Sequence, residues 1–249
     1  MPDSRTHRGP HPEDEQLFAP STWGILREAT RDLCWLLSRG YVNPSALALV
    51  GDRFRLTARQ RRAVERSACS IAELRRRLEH RLEIEATQGT TLWIDGYNVL
   101  TTVEAALGGG IILAACDSTY RDMASMHGHY RKVAETLPAL YLVGESLSEL
   151  GCTSARWLLD RPVSNSGRLK KLIEQVAAEN GWHWSVELVP NPDPLLIDSQ
   201  VPVATADSIV LDYCHAWVNL SRWVIQRHVR TARVVDLAVY EAGNLTAEP

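Results

Sequence analysis

Asp95, Asp160 and Asp207 each close a short apolar run, and that repetition is the chemical signal of this chain. Thr91-Leu92-Trp93-Ile94 leads into Asp95, Ala155-Arg156-Trp157-Leu158-Leu159 into Asp160, and Val201-Pro202-Val203-Ala204-Thr205-Ala206 into Asp207. Buried parallel strands read as such runs, and ligands of an α/β sheet bind beyond the carboxyl ends of its strands. Three strands that bring acids to one edge would make an all-oxygen pocket for Mg²⁺ or Mn²⁺. The reaction such a pocket suits is phosphodiester hydrolysis, in which a hard cation activates water and relieves charge on phosphate. Asn98, at the start of the next helix, would orient water or ligands. Asp212, five residues beyond Asp207, and Asp117, closing the apolar run 111–116, are further candidate metal ligands. Each strand-end Asp also has a structural alternative, as the cap of the following helix or a turn former.

Two basic constellations could hold the phosphates of a substrate. Ser164-Asn165-Ser166-Gly167 precedes Arg168-Leu169-Lys170-Lys171, so Ser164, Ser166, Arg168 and Lys170 would surround a helix N-terminus with free N–H groups. A Ser-capped helix with a solvated basic first turn is the alternative, and the spacing is not that of a P-loop. Arg62 and Arg66 belong to an Arg-rich helix expected from Thr57 through Leu78, which could bind RNA backbone by charge. Glu65, Glu73, Glu79 and Glu83 on the same stretch equally allow a salt-bridged surface. Trp35, Tyr41 and Phe54 could stack on bases or pack in the core. His127 and His129 have the wrong spacing for two zinc ligands on one helical face, and neither His-Glu-x-x-His nor Gly-x-Ser-x-Gly occurs.

The elements that must position these groups fall into two regions. Residues 1–20 carry four prolines among charges and read as disordered. Residues 21–86 show helical periodicity and form a basic helical module. From residue 91 the pattern alternates, with strands expected at 91–95, 111–116, 154–159, 184–189, 201–205 and 233–237. Helical stretches lie between them near 98–107, 121–150, 166–180 and 207–229. That alternation predicts a parallel sheet flanked by helices over 91–240.

Charge divides along the same boundary. Residues 21–85 hold 13 Lys/Arg against 8 Asp/Glu, a net +5, while residues 90–249 hold 12 against 18, a net −6. The front half would attract phosphate and the back half would concentrate carboxylates. Five scattered cysteines without a Cys-x-x-Cys pair argue against a disulfide framework or a thiolate zinc site. No apolar run approaches a membrane span and the first fifteen residues are unlike a signal peptide, so a cytoplasmic location is expected, with no membrane partner. A homodimer is left open.

Ile94-Asp95-Gly96-Tyr97-Asn98 resembles the opening motif of the NYN branch of PIN-like nucleases, and Thr205-Ala206-Asp207-Ser208 resembles their Thr-x-Asp element. Leu158-Leu159-Asp160 occupies the place of the intermediate strand-end acid. The resemblance covers roughly residues 91–215. It implies a Rossmann-like three-layer α/β/α domain, preceded here by the small all-α module, and Mg²⁺- or Mn²⁺-dependent cleavage of RNA. It also implies a further acid between the first and third motifs, for which Glu104, Asp117 and Asp122 are candidates. Three other readings compete: a non-catalytic nucleic-acid or nucleotide-binding protein, a small-molecule phosphatase using Ser164–Gly167, and a regulatory protein whose basic helix binds another protein.

Overall fold

The computed structural model describes residues 7–123 and 130–240; His127 and His129 lie outside them. The front region comprises α1 (Asp14–Leu17), a 3₁₀ turn, α2 (Trp23–Ser38), α3 (Asn43–Arg53), α4 (Ala58–Ser67) and α5 (Ile71–Glu79). Thr57 starts α4 through a capping box with Gln60. The single Arg-rich helix expected from Thr57 to Leu78 is in fact two, because Ser70 forms a second capping box with Glu73 and starts α5 afresh.

Residues 7–20 correct the expectation of a disordered start. Phe18 is buried in the core of the helical region, and the fully buried Asp14 accepts hydrogen bonds from Arg59 Nε at 2.5 Å and Nη2 at 2.8 Å. Arg8 reaches Glu104 at 2.5 Å. So few apolar residues stand in this stretch that its handful of anchors is hidden among prolines and charges.

The remainder runs β1 (Thr91–Asp95), α6 (Gly96–Leu107), β2 (Ile111–Ala114), β3 (Tyr120–Asp122), α7 (Thr136–Glu149), β4 (Ser154–Asp160), α8 (Ser166–Asn180), β5 (Trp184–Val189), α9 (Asp193–Ile197), β6 (Val203–Ala204), α10 (Ser208–Tyr213), β7 (Trp217–Val218), α11 (Leu220–His228) and β8 (Arg233–Asp236). Five strands form a wholly parallel sheet in the order β5-β4-β1-β6-β7. Side chains of α6, α7, α8 and α11 share one core with β1 and β4, while those of α9 and α10 share another with Leu158 and Val203.

Strands β2 and β8, expected in the parallel sheet, lie instead in a second sheet of order β3-β2-β8. Strand alternation explains the difference. Ile111 and Leu113 enter the core of the helical region, whereas Ile112 joins the core under α6. The front helices therefore cover one face of this small sheet and are built into the body.

The helix expected over 207–229 is also interrupted. Trp217, fully buried, forms the edge strand β7 and pairs with the end of the front region: its N–H donates to the His80 carbonyl at 3.0 Å and its carbonyl accepts from Leu82 N–H at 2.9 Å. Among the described residues, no helix is long and apolar enough to cross a membrane.

Candidate functional site

The order of the parallel sheet determines where a crevice opens. After β1 the chain builds outward through β4 and β5, then returns to the other side of β1 to place β6 and β7. Helix α6 leaves β1 toward one face and α10 leaves β6 toward the other. Their divergence at the carboxyl ends of β1 and β6 is the switch point at which ligands of such sheets bind.

Asp95 ends β1 in that crevice and is 8% exposed. One of its oxygens accepts a hydrogen bond from the Thr205 hydroxyl at 2.7 Å. Burial pushes its carboxyl up to about 7; the Thr205 bond opposes this, and the charges of Asp207, Asp160 and Asp193 add to it. Asp160, at the end of β4, is raised by burial and by Asp207. Asp193, in the first turn of α9, is raised by burial and then by Asp207 and Asp160. The three acids expected from the sequence thus share one electrostatic neighbourhood with a fourth. Asp193 was missed, although Pro192-Asp193-Pro194 follows the strand at 184–189 and offers the same signal of an acid beyond a strand end.

The turn after β6 is fixed on both sides. Asn98 Oδ1 accepts from Ala206 N–H at 2.8 Å, and Arg121 Nε donates to the Ala206 carbonyl at 2.9 Å. Asn98 therefore positions this peptide rather than only facing a ligand. Thr205 Oγ1 accepts from Asp207 N–H at 3.0 Å. Asp207 fulfils the capping alternative, since Oδ1 accepts from Ile209 N–H at 2.8 Å and Val210 N–H at 3.2 Å. A residue can cap α10 with one oxygen and still present its charge to the crevice.

Tyr97 lies 3% exposed in the first turn of α6, and its hydroxyl is buried without a hydrogen-bond partner. Burial and then the Asp160 charge hold it well above the ordinary tyrosine range. Gly96 explains how α6 comes so close to β4. A Cβ there would stand 2.5 Å from Leu159 Cδ2 and 2.8 Å from the Leu158 carbonyl oxygen. Because one obstacle is backbone, Gly96→Ala is expected to cost roughly 1–3 kcal/mol. Chemical denaturation checks this, and an unchanged midpoint would show that α6 can shift freely.

Several other candidates are committed elsewhere. Asp117 is 1% exposed and paired with Arg77 Nη1 at 2.7 Å and Arg121 Nη2 at 2.6 Å, so it is no metal ligand. Asp212 accepts from Arg77 Nε at 2.7 Å and Nη2 at 3.1 Å and is likewise removed from the set. Glu104 accepts from Arg8, Tyr130 and Thr136, and Asp122 from Thr101 and Thr102. A buried cation or hydroxyl nearby claimed each acid before a ligand could.

The Ser164–Gly167 loop is not an open phosphate cradle. Ser166 is buried and its hydroxyl donates to the Arg161 carbonyl at 3.2 Å, while Lys170 Nζ donates to the Val186 carbonyl at 2.8 Å. Ser164 lends its carbonyl to Tyr130 N–H, and Arg168 stays exposed. On α4, Arg62 is exposed and Arg66 half-buried. Trp35 and Tyr41 are 47% and 55% exposed, so neither packs in the core.

Residues 84–223 match a family described as a domain of unknown function, DUF5616, and residues 25–80 match one described as a protein of unknown function, DUF434. A relative from Methanocaldococcus jannaschii, described as "Uncharacterized protein MJ0935", is 30% identical over 186 residues, covering 75% of this chain and 88% of that protein. No solved structure matches the chain. The first of these matches contains all four carboxylates together with Thr205, Asn98 and Arg121, and on its extent the chain belongs to the DUF5616 family.

Proposed function

We propose that this chain is a metal-dependent nuclease of the PIN-like type, NYN branch, that hydrolyses RNA with Mg²⁺ or Mn²⁺ at the crevice between β1 and β6. The observation that carries the reading is the gathering of Asp95, Asp160, Asp193 and Asp207 at a sheet switch point, where the Asp207 charge raises the proton affinity of the other three and the Asp160 charge that of Asp95 and Asp193. Such mutual repulsion is relieved by a cation. Helices on both faces of the parallel sheet fit the three-layer arrangement that this reading needs.

The donor set suits a hard cation, since it consists of oxygens alone. Among the described residues no three His, Cys, Asp or Glu side chains stand close enough to share one ion. The reading therefore assigns one or two carboxylates to an ion, with water completing its shell, as Mg²⁺ prefers. Asp95, with Asp160 or Asp207 beside it, is its holder, and the remaining carboxylates, Asp193 among them, add negative charge nearby. Bound there, the cation supplies an activated water and offsets charge on the phosphate.

The chain's own groups do the positioning. Thr205 fixes the orientation of the Asp95 carboxylate. Asn98 and Arg121 clamp the Ala206 peptide between Thr205 and Asp207, so the two sides of the crevice keep a constant separation. The Tyr97 hydroxyl, buried without a hydrogen-bond partner, feels the Asp160 charge from within the core.

The test is cleavage of an end-labelled single-stranded RNA by the full chain. Fragments are expected with Mg²⁺ or Mn²⁺ and none with EDTA. Equal cleavage with and without chelator rejects the reading, as does intact RNA in both.

A further inference from the structure

The outer face of α10 joins the carboxylate crevice to the Arg-rich helices. Ile209 and Tyr213 stand four residues apart, hence on one side of the helix, and are 56% and 61% exposed. Since α10 starts immediately after Asp207, one end of this face borders the acids. At the other end, the Arg76 guanidinium of α5 lies over the Tyr213 ring, 5.7 Å from its centroid. Arg76 Nε is buried and has no hydrogen-bond partner. Leu195, 37% exposed and two residues beyond Asp193, belongs to α9, which shares a core with α10.

A lone exposed apolar residue needs no explanation; a run of them beside a guanidinium and a carboxylate crevice does. A tyrosine face accepts any nucleobase by stacking, and a guanidinium pairs with phosphate. The net +5 of residues 21–85 complements a polyanion, whereas it offers nothing to an apolar protein surface. From Asp207 to Tyr213 the helix covers roughly 9 Å, the length of two or three nucleotides in a stacked strand.

We propose that Ile209, Tyr213 and Arg76 form a strip that binds single-stranded nucleic acid, with Tyr213 stacking on a base, Arg76 holding a neighbouring phosphate, and the strand running on into the crevice. The inference rests on the nuclease reading for its direction of travel, but binding along the strip requires no turnover.

The experiment measures binding of fluorescein-labelled oligouridylate and oligothymidylate of about twelve nucleotides to the full chain in EDTA, by fluorescence anisotropy. Tyr213→Ala is expected to weaken binding about tenfold, while Tyr213→Phe keeps the ring and the affinity. Arg76→Ala should weaken binding and lower the slope of log affinity against log salt by about 0.7. Ile209→Ser supplies a second exposed position whose replacement leaves the core intact. The inference is overturned if the parent binds neither oligomer, if Tyr213→Ala binds as the parent does, or if sedimentation shows that this face joins two copies in a dimer that Tyr213→Ala dissolves. Tyr213-dependent binding by a parent that cleaves nothing in Mg²⁺ supports the strip and removes the nuclease reading.

Discussion

Replacing Asp95 by Asn is expected to abolish cation-dependent RNA cleavage and, in the same molecule, to raise the melting temperature at pH 8. Asn keeps the shape of the carboxylic acid and can still accept the Thr205 hydroxyl bond, but it carries no charge. Asp95 titrates near 7 in the fold against an ordinary 3.8. Between those values the folded chain retains a proton that the unfolded chain has lost, so this group's effect is to lower stability as pH rises through that window. Above about pH 7 the full cost applies, roughly 2–4 kcal/mol. The Asn variant escapes it. Thermal unfolding in EDTA should show a gain of roughly 5–10 °C at pH 8 that shrinks toward pH 5. Millimolar Mn²⁺ should raise the parent's midpoint and leave the variant's nearly unchanged, because an ion that binds only the folded carboxylates stabilises by mass action. A variant less stable than the parent at pH 8 would show that the crevice already compensates its charges. The crevice would then not store the repulsion on which the proposed cation binding depends.

The sequence made this crevice legible because strand-end acids sit at the one place where a parallel sheet offers side chains to a ligand. Asp95, Asp160 and Asp207 could be found from apolar runs alone, and Thr205 stands in the motif that named Asp207. Asp193 escaped because a strand, a turn and two prolines separate it from the pattern, and α9 is too short to announce itself by periodicity. Asp117 and Asp212 were misread for the opposite reason. Each has the local look of a ligand, yet Arg77 arrives from a distant position to pair with both, and Arg121, four residues beyond Asp117, pairs with that one. Spacing along a chain carries no information about which cation folds back onto which acid. The second sheet was hidden in the same way: Ile111-Ile112-Leu113 reads as a buried strand whether a parallel sheet or a set of helices covers it. Residues 214–218 follow an apolar helical pattern, and the pairing of Trp217 and Val218 with β6 and of Trp217 with residues 80–82 draws β7 out of it.

Removing Asp117 should be the most damaging single change outside the crevice. Its carboxylate accepts from Arg77 Nη1, from Arg121 Nη1 and Nη2, and from the Thr119 N–H and hydroxyl. Arg77 and Arg121 are 2% and 5% exposed, so the network joins α5 of the front region to the small sheet and, through Asp212, to α10 in the dry interior. Burial alone would raise the Asp117 carboxyl, but Arg121 and then Arg77 hold it well below the usual carboxylate range. The stability it contributes is therefore present above about pH 4 and is lost as the solution is acidified below that. Asp117→Ala leaves two buried guanidiniums facing each other with no shared anion, at a cost of about 3–5 kcal/mol. Asp212→Ala should cost less, because its carboxylate is 12% exposed and the Asp117 bond to Arg77 survives. Urea unfolding of the two variants and the parent checks the order. Damage also reaches the crevice, since Arg121 holds the Ala206 carbonyl. A milder Asp117→Asn variant that stays folded should bind Mn²⁺ more weakly than the parent. If Asp117→Ala unfolds at the parent's urea concentration, the front helices are held by their apolar contact with β2 and β8 alone, and the ion network merely fills space.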